Sequence, residues 1–77
     1  MKTTGIKCNK CRVTIFSRAR HDFRYCKCGG CAIDGGQDYF RIIGEGYEVV
    51  DLDLDVERKD LFNDYNYGLD NYGMIEE

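Results

Sequence analysis

The chain has 77 residues, which suffices for one domain but not for a core that is stable by itself, because a chain of this size buries only about 60–65% of its surface on folding. A core this small is usually supported by a metal, by disulfides or by an oligomer interface. The chain's five cysteines supply material for the first two, and their odd number excludes a disulfide set that pairs all of them. Residues 1–44 carry nine basic and three acidic side chains (+6), and residues 45–77 carry two basic and eleven acidic ones (−9), which together give the net charge of −3.

This uneven charge indicates an electrostatic role for at least one half, unless the two halves neutralise each other across the fold. The sequence contains no apolar run of the roughly 18 residues that a membrane span requires. It opens on MKTTGIKCNK, which has no apolar signal segment. We therefore expect a cytoplasmic protein with no membrane contact, in a reducing compartment where clustered cysteines bind metal more often than they pair.

The first half of the chain predicts antiparallel hairpins. In GIKCNKCRVTIFSR, Ile6 and residues 13–16 are strand formers on either side of a CNKC turn. HDFRYCKCGG repeats this pattern, with Phe23 and Tyr25 leading into a second turn. A further short strand is predicted for DYFRII, which lies between the turn signals DGG and GEG.

The second half opens with a strict alternation of aliphatic and acidic residues. The two sets are Val50, Leu52, Leu54 and Val56, and Asp51, Asp53 and Asp55. A period of two predicts a strand whose aliphatic face meets the core and whose carboxylates meet water or a partner. We predict a helix over residues 55–63 with Asp55 as its N-cap, followed by a Gly- and Tyr-rich end without a period.

The predicted fold is a small β-rich, zinc-ribbon-like domain of antiparallel hairpins with an acidic strand and a short helix at its C-terminal end. Residues 1–77 form a single domain in this interpretation. Residues 1–44 are its basic, zinc-ribbon-like half, and residues 45–77 are an acidic extension.

The cysteine spacing points to a tetrahedral zinc site, for which thiolate sulfur is a preferred ligand. Cys8 and Cys11 form a CxxC turn, which presents two sulfurs to one ion. The second pair has two solutions. Cys28 and Cys31 have the CxxC spacing, which spacing alone favours slightly, whereas Cys26 and Cys28 are followed by a glycine suited to the tight backbone of such a turn.

Three segments carry a resemblance to a known family: KCNKCRVTI, RHDFRYCKCG and AIDGGQDYFRIIG. They resemble very short bacterial and bacteriophage proteins of unknown function with a zinc-ribbon-like start, over roughly residues 6–44. The shared pattern is CxxC, HDF, CxCG and DGGxDY. The resemblance implies Cys8, Cys11, Cys26 and Cys28 as the ligands of a structural zinc ion, with Cys31 as a reserve ligand.

A second polar group surrounds the two other motifs of that pattern. Its members are His21, Asp22, Asp34, Asp38 and Arg41. On neighbouring strands they would suit a phosphate, a nucleotide or another chain. In the structural alternative, which we favour, Asp22 and Asp34 close turns, Asp38 pairs with Arg41, and the two glycines of DGG supply positive φ. We expect no enzyme, because a four-thiolate zinc has no open position and no nucleophile has a base beside it.

Three functions follow from these patterns. The favoured one is a phage-type protein that binds and modulates a host protein or defence system through an acidic surface that includes Asp51, Asp53 and Asp55. The second is nucleic-acid binding by the basic half, through Lys7, Lys10, Arg12, Arg18, Arg20, Arg24 and Lys27. The third is a small binder of nucleotide or phosphate ligands. The sequence leaves the oligomeric state open.

Overall fold

Two antiparallel sheets and one helix make up the fold in the computed structural model, which describes residues 1–36 and 40–76. The strands and the helix are β1 (Lys2–Cys8), β2 (Thr14–Ile15), β3 (Arg24–Tyr25), β4 (Cys31–Asp34), β5 (Arg41–Gly44), β6 (Tyr47–Asp53), α1 (Arg58–Asn66) and β7 (Met74–Ile75). The first sheet has the order β6-β1-β2-β7, and the second has the order β3-β4-β5. The predicted fold class, small and β-rich with antiparallel hairpins and a short helix, is confirmed.

The main core lies between the two sheets. Ile6 of β1 pairs with Ile15 of β2, and both side chains are fully buried. Ile33 of β4 joins them from the second sheet, together with buried cysteines. Each such aliphatic side chain contributes about 1.5–3 kcal/mol on burial, so a core of this size gains from a further covalent or metal link.

The acidic strand is present as β6, but its aliphatic residues do not face this core. Gly5 pairs with Val50 and Thr3 with Leu52, and paired residues of an antiparallel ladder share a face. Ile6 pairs instead with Val49. The predicted alternation is correct, since Asp51, Asp53 and Asp55 are exposed and the aliphatic residues between them are half-buried. The predicted face was wrong: these aliphatic residues lie on the side of the first sheet opposite Ile6.

The helix begins later than the sequence predicted. Its N-cap is Glu57, in a capping box with Asp60, and Asp55 is not the cap. The reason lies at the N-terminus, because the Met1 amine donates hydrogen bonds to the carbonyls of Leu54 (2.6 Å) and Val56 (3.3 Å). This contact ties residues 54–56 to the start of β1, and the first helical turn follows after them.

The Gly- and Tyr-rich end forms a strand that the sequence did not predict. Met74 in β7 pairs with Ile15, and the N–H of Phe16 donates to the Gly73 carbonyl at 3.0 Å. The predicted strand in DYFRII is present as β5, from Arg41 to Gly44. The first two residues of that segment lie outside the described residues.

Candidate metal centre

Two hairpin turns bring four cysteines together where the sheets meet. Cys8 ends β1 and Cys11 lies in the turn to β2, while Cys26 and Cys28 lie in the turn between β3 and β4. All four Sγ atoms lie within 4.8 Å of one another. The Sγ atom of Cys28 is 3.5 Å from that of Cys8 and 3.5 Å from that of Cys26. Each sheet therefore supplies one pair of sulfurs to a single cluster.

Both turns use a left-handed residue to aim their sulfurs. In the first turn, the N–H of Arg12 donates to the Cys8 carbonyl at 3.0 Å with φ at 61°. In the second, the N–H of Gly29 donates to the Cys26 carbonyl at 3.0 Å with φ at 75°. The sequence indicated the role of Gly29. It gave no sign of Arg12, where this conformation costs roughly 1–2 kcal/mol in a residue with a Cβ atom.

The backbone around the sulfurs favours thiolates. The N–H group of Cys11 is the main cause that lowers the pKa of Cys8, and the N–H group of Val13 is the main cause that lowers the pKa of Cys11. Burial opposes ionisation of Cys26, but hydrogen bonds from the Cys31 N–H and from neighbouring thiols outweigh it and lower the pKa. Such hydrogen bonds to the charged form are a general means of stabilising it.

Cys28 behaves differently because it would be the last of the four to ionise. The Gly30 N–H favours its thiolate, but the sulfurs of Cys26 and Cys8 outweigh this and raise the pKa of Cys28 to about 11. Thiolates crowded this closely repel one another without a cation. The cluster thus needs a positive ion at its centre to carry four negative sulfurs.

The dimensions and donors of the cluster fit a tetrahedral ion of the size of zinc. Four sulfurs at about 2.3 Å from a central ion are about 3.8 Å apart. Two of the observed separations are 3.5 Å and none exceeds 4.8 Å, which is compatible with that value. Three of these cysteines belong to the core or pack against it as its direct neighbours, and Cys28 is exposed. The four cysteines could therefore hold a metal ion that joins the two sheets.

Cys31 lies beside this cluster and supports it mainly through its backbone. Its N–H donates to the Cys26 sulfur at 3.4 Å. Burial, together with the neighbouring Cys26, raises the pKa of the Cys31 thiol to about 12. Only 2% of the residue is exposed. The group of sulfurs that lie within 4.8 Å of one another includes Cys26 and Cys28 and not Cys31, so the geometry favours Cys26 and Cys28 as the second pair.

Replacing Cys31 by alanine tests this assignment. We expect Cys31→Ala to retain one metal ion and its fold, because alanine keeps the backbone N–H, and to lose only about 1 kcal/mol of packing. We expect Cys26→Ala, the matched control, to lose both the metal and the fold. Metal content and a thermal melt measure the two effects, and the reverse pattern would assign the second pair to Cys28 and Cys31.

Residues 1–44 of the chain match a family described as a domain of unknown function, DUF7695. The chain belongs to this family. The matched range contains all five cysteines, and it ends before β6 begins. No curated protein and no solved structure matches the chain. No helix among residues 1–36 and 40–76 is long and apolar enough to cross a membrane.

The HDF motif in the DUF7695 region builds a buried ion pair. The carboxylate of Asp22 accepts hydrogen bonds from the Arg18 N–H (2.9 Å) and from the Arg18 Nε (2.8 Å). Asp64 of α1 accepts from the Nη1 of the same guanidinium at 2.5 Å. His21 is exposed, and its carbonyl accepts from the Tyr65 hydroxyl at 3.3 Å. Arg18 thus links the 17–22 loop to the helix, and Asp22 is engaged in holding the Arg18 side chain.

The DGG motif in the DUF7695 region packs against the same loop. Gly35 and Gly36 have φ values of 105° and 67°, which confirms the predicted positive φ. A Cβ on Gly36 would lie 2.8 Å from the carbonyl carbon of Ala19, and its N–H donates to Ser17 Oγ at 3.0 Å. Only glycine allows this close approach.

Arg41, a further member of the predicted polar group, has a partner on the neighbouring strand. Arg41 donates to the Asp34 carboxylate at 2.8 Å, across the register pair that these residues form between β4 and β5. Asp38 lies outside the described residues. The pairing of Arg41 with Asp34 makes Asp34 a cross-strand partner in the second sheet.

The basic character of the first half is partly used inside the molecule. Arg18 is buried between Asp22 and Asp64, and Asp22 is the first cause of a raised pKa of its guanidinium. Arg24 pairs with Asp70, and its side chain is 14% exposed. Lys27 pairs with Glu76 at 3.4 Å. At least three of the seven residues proposed for nucleic-acid contact therefore take part in ion pairs within the chain.

Proposed function

We propose that this protein is a small zinc-stabilised binding module, and not an enzyme, that attaches to a basic surface of another protein through the carboxylates of β6 and its flanks. In the bacteriophage setting that the sequence resemblance implies, the partner is a host protein in the cytoplasm, and binding inhibits it. The support comes from the donor set of the cluster, from the exposed carboxylates and from the internal use of the arginines.

Zinc is the metal that the cluster supports best. Zinc binds four thiolates in a closed tetrahedron, and such structural sites contribute directly to folding. The closed tetrahedron leaves no position for a substrate or a catalytic water. For this reason the proposal gives the metal a structural role and places the function on the surface.

The observation that carries the proposal is a run of six exposed carboxylates without one basic residue. The run, here called the acidic segment, comprises Glu45, Glu48, Asp51, Asp53, Asp55 and Glu57. Within residues 1–36 and 40–76, none of Asp51, Asp53 and Asp55 takes part in an ion pair. Like charges on one strand repel one another and cost stability, so their presence favours a role outside the chain.

Removing three of these charges tests whether their positive counter-charge comes from a partner or from the protein's own basic half. We expect the combined change Asp51→Asn, Asp53→Asn and Asp55→Asn to leave the free energy of unfolding unchanged or slightly higher, because it removes repulsion. Binding to the partner should weaken and lose its salt dependence, because the screened attraction disappears. Thermal melts of the isolated chain and affinity capture from bacterial lysate at two salt concentrations measure these effects.

A variant with glutamate at the same three positions is the matched control, since it keeps the charge and changes only side-chain length. We expect quantitative mass spectrometry to find one protein that the wild-type chain and the glutamate variant retain and the asparagine variant loses. A triple asparagine variant that melts several degrees lower and still captures the same protein would contradict the proposal. Recovery of salt-sensitive nucleic acid in place of protein would favour the basic half as the binding surface.

A further inference from the structure

Strand β6 is an edge of the first sheet. The sheet order places β1 on one side of it and, among the described residues, no strand on the other. It has seven residues, from Tyr47 to Asp53, and all seven pair with β1. A long edge strand presents unpaired backbone groups that another chain can use.

The hydrogen bonds at the two ends of the ladder show which backbone groups are free. Met1 and Leu54 exchange both bonds, with Leu54 N–H to Met1 O at 2.7 Å and Met1 N to Leu54 O at 2.6 Å. At the other end the Asn9 N–H donates to the Gly46 carbonyl at 2.8 Å. Because hydrogen-bonded pairs alternate along an antiparallel ladder, the even-numbered residues 46 to 54 bond towards β1. The odd-numbered residues 47 to 53 point their N–H and C=O groups away from it.

The side chains next to this free edge differ between the two faces of the sheet. Asp51 and Asp53 lie on the Ile6 face, where they are exposed. Val50 and Leu52 lie on the opposite face, where they are half-buried. A strand added at the edge would place alternate side chains beside these two sets. Its best sequence therefore alternates basic residues, opposite the aspartates, with aliphatic residues that cover the apolar side.

We propose that β6 captures its partner by strand addition: an extended segment that alternates basic and aliphatic residues pairs with residues 47–53 as a fifth strand of the first sheet. This rests on the proposed function and specifies the partner's chemistry. A second copy of the chain is a poor occupant, because two β6 edges would bring their carboxylates together.

A capped seven-residue peptide that alternates lysine and valine is the probe. With lysines opposite the odd-numbered residues of β6, the lysine N–H groups face the protein and the valine N–H groups face water. We expect methylation of the lysine backbone nitrogens to weaken binding by at least about tenfold, because several hydrogen bonds are lost. Methylation of the valine nitrogens, the matched control, should change binding little. Amide chemical shifts of the ¹⁵N-labelled protein report both affinity and location.

A protein variant gives an independent reading. Proline at Val49 removes an N–H that points away from β1, so Val49→Pro should keep the fold and the metal while it loses the peptide. Val49→Thr keeps that N–H and should bind as the wild type does.

Equal binding of both methylated peptides would overturn strand addition. If the asparagine variant then still lost its captured protein, the proposed function would stand without it. A peptide that does not bind, or a dimer that Val49→Pro dissociates, would also overturn strand addition. Loss of both the peptide and any charge-dependent capture would end the proposed function as well.

Discussion

Replacing Cys11 by serine is expected to leave the chain largely unfolded. Serine removes one of four sulfurs that lie within 4.8 Å of one another at the junction of the two sheets. Structural zinc contributes on the order of 10 kcal/mol in zinc-finger peptides, whereas the whole stability of a small domain is about 5–15 kcal/mol. Circular dichroism and dispersion of the amide NMR spectrum, recorded with and without added zinc, measure the loss.

The Cys31→Ala variant is the control for this experiment, because it removes a buried cysteine from the same core and leaves the four sulfurs in place. A wild-type chain treated with a strong chelator should resemble Cys11→Ser. A Cys11→Ser chain that unfolds cooperatively at the wild-type midpoint would show that the cysteines hold no essential metal.

The second large effect is expected at Asp64, where an asparagine should destabilise the protein by about 3–5 kcal/mol. Asp64 is 2% exposed and accepts hydrogen bonds from Arg18 and from the N–H groups of Asn71 and Tyr72, both at 3.2 Å. Asp64→Asn removes half of the negative charge around a buried guanidinium and loosens the turn that leads into β7. Urea denaturation of the metal-loaded protein measures the change in free energy of unfolding.

Asp70→Asn is the matched control, because Asp70 also pairs with an arginine, Arg24 at 2.7 Å, but its side chain is 81% exposed. An exposed pair of this kind contributes at most about 1 kcal/mol. Burial acts to raise the pKa of Asp64, but the hydrogen bonds from Arg18 and the two N–H groups outweigh it and lower the pKa below its usual value. The contribution of Asp64 is therefore fully present at neutral pH and is lost as the pH falls through that lowered value. Equal changes in the free energy of unfolding for Asp64→Asn and Asp70→Asn would show that the buried ion pairs stabilise the protein no more than the exposed one does.

Local patterns in the sequence predicted the parts of the fold that depend on neighbours along the chain. The CNKC and CKCGG turns, the hairpins around them and the alternation from Val50 to Val56 each follow from the spacing of a few residues. Even for β6, the sequence pattern predicted that aliphatic and acidic residues alternate, but it did not predict on which side of the sheet the aliphatic residues lie. Which side of β6 meets the core depends on its register with β1, and that register joins residues 39 to 51 positions apart.

The parts that the sequence did not predict depend on long-range partners. The Met1 amine donates hydrogen bonds to the carbonyls of Leu54 and Val56, just before the helix begins at Arg58. Strand β7 depends in the same way on a distant partner, because Met74 pairs with Ile15. The HDF motif suggested a ligand site or a closed turn. Its aspartate turned out to share Arg18 with an aspartate of α1, a partner that no spacing rule reveals.

The number of zinc ions in the purified, folded chain tests the central claim most directly. Mass-spectrometric metal analysis of the wild-type protein, purified without added zinc, should find one zinc per chain, with Cys31 as the only thiol outside the metal site. A chain that is folded, contains well under one equivalent of zinc and exposes the thiols of Cys8, Cys11, Cys26 and Cys28 to alkylation would contradict the account.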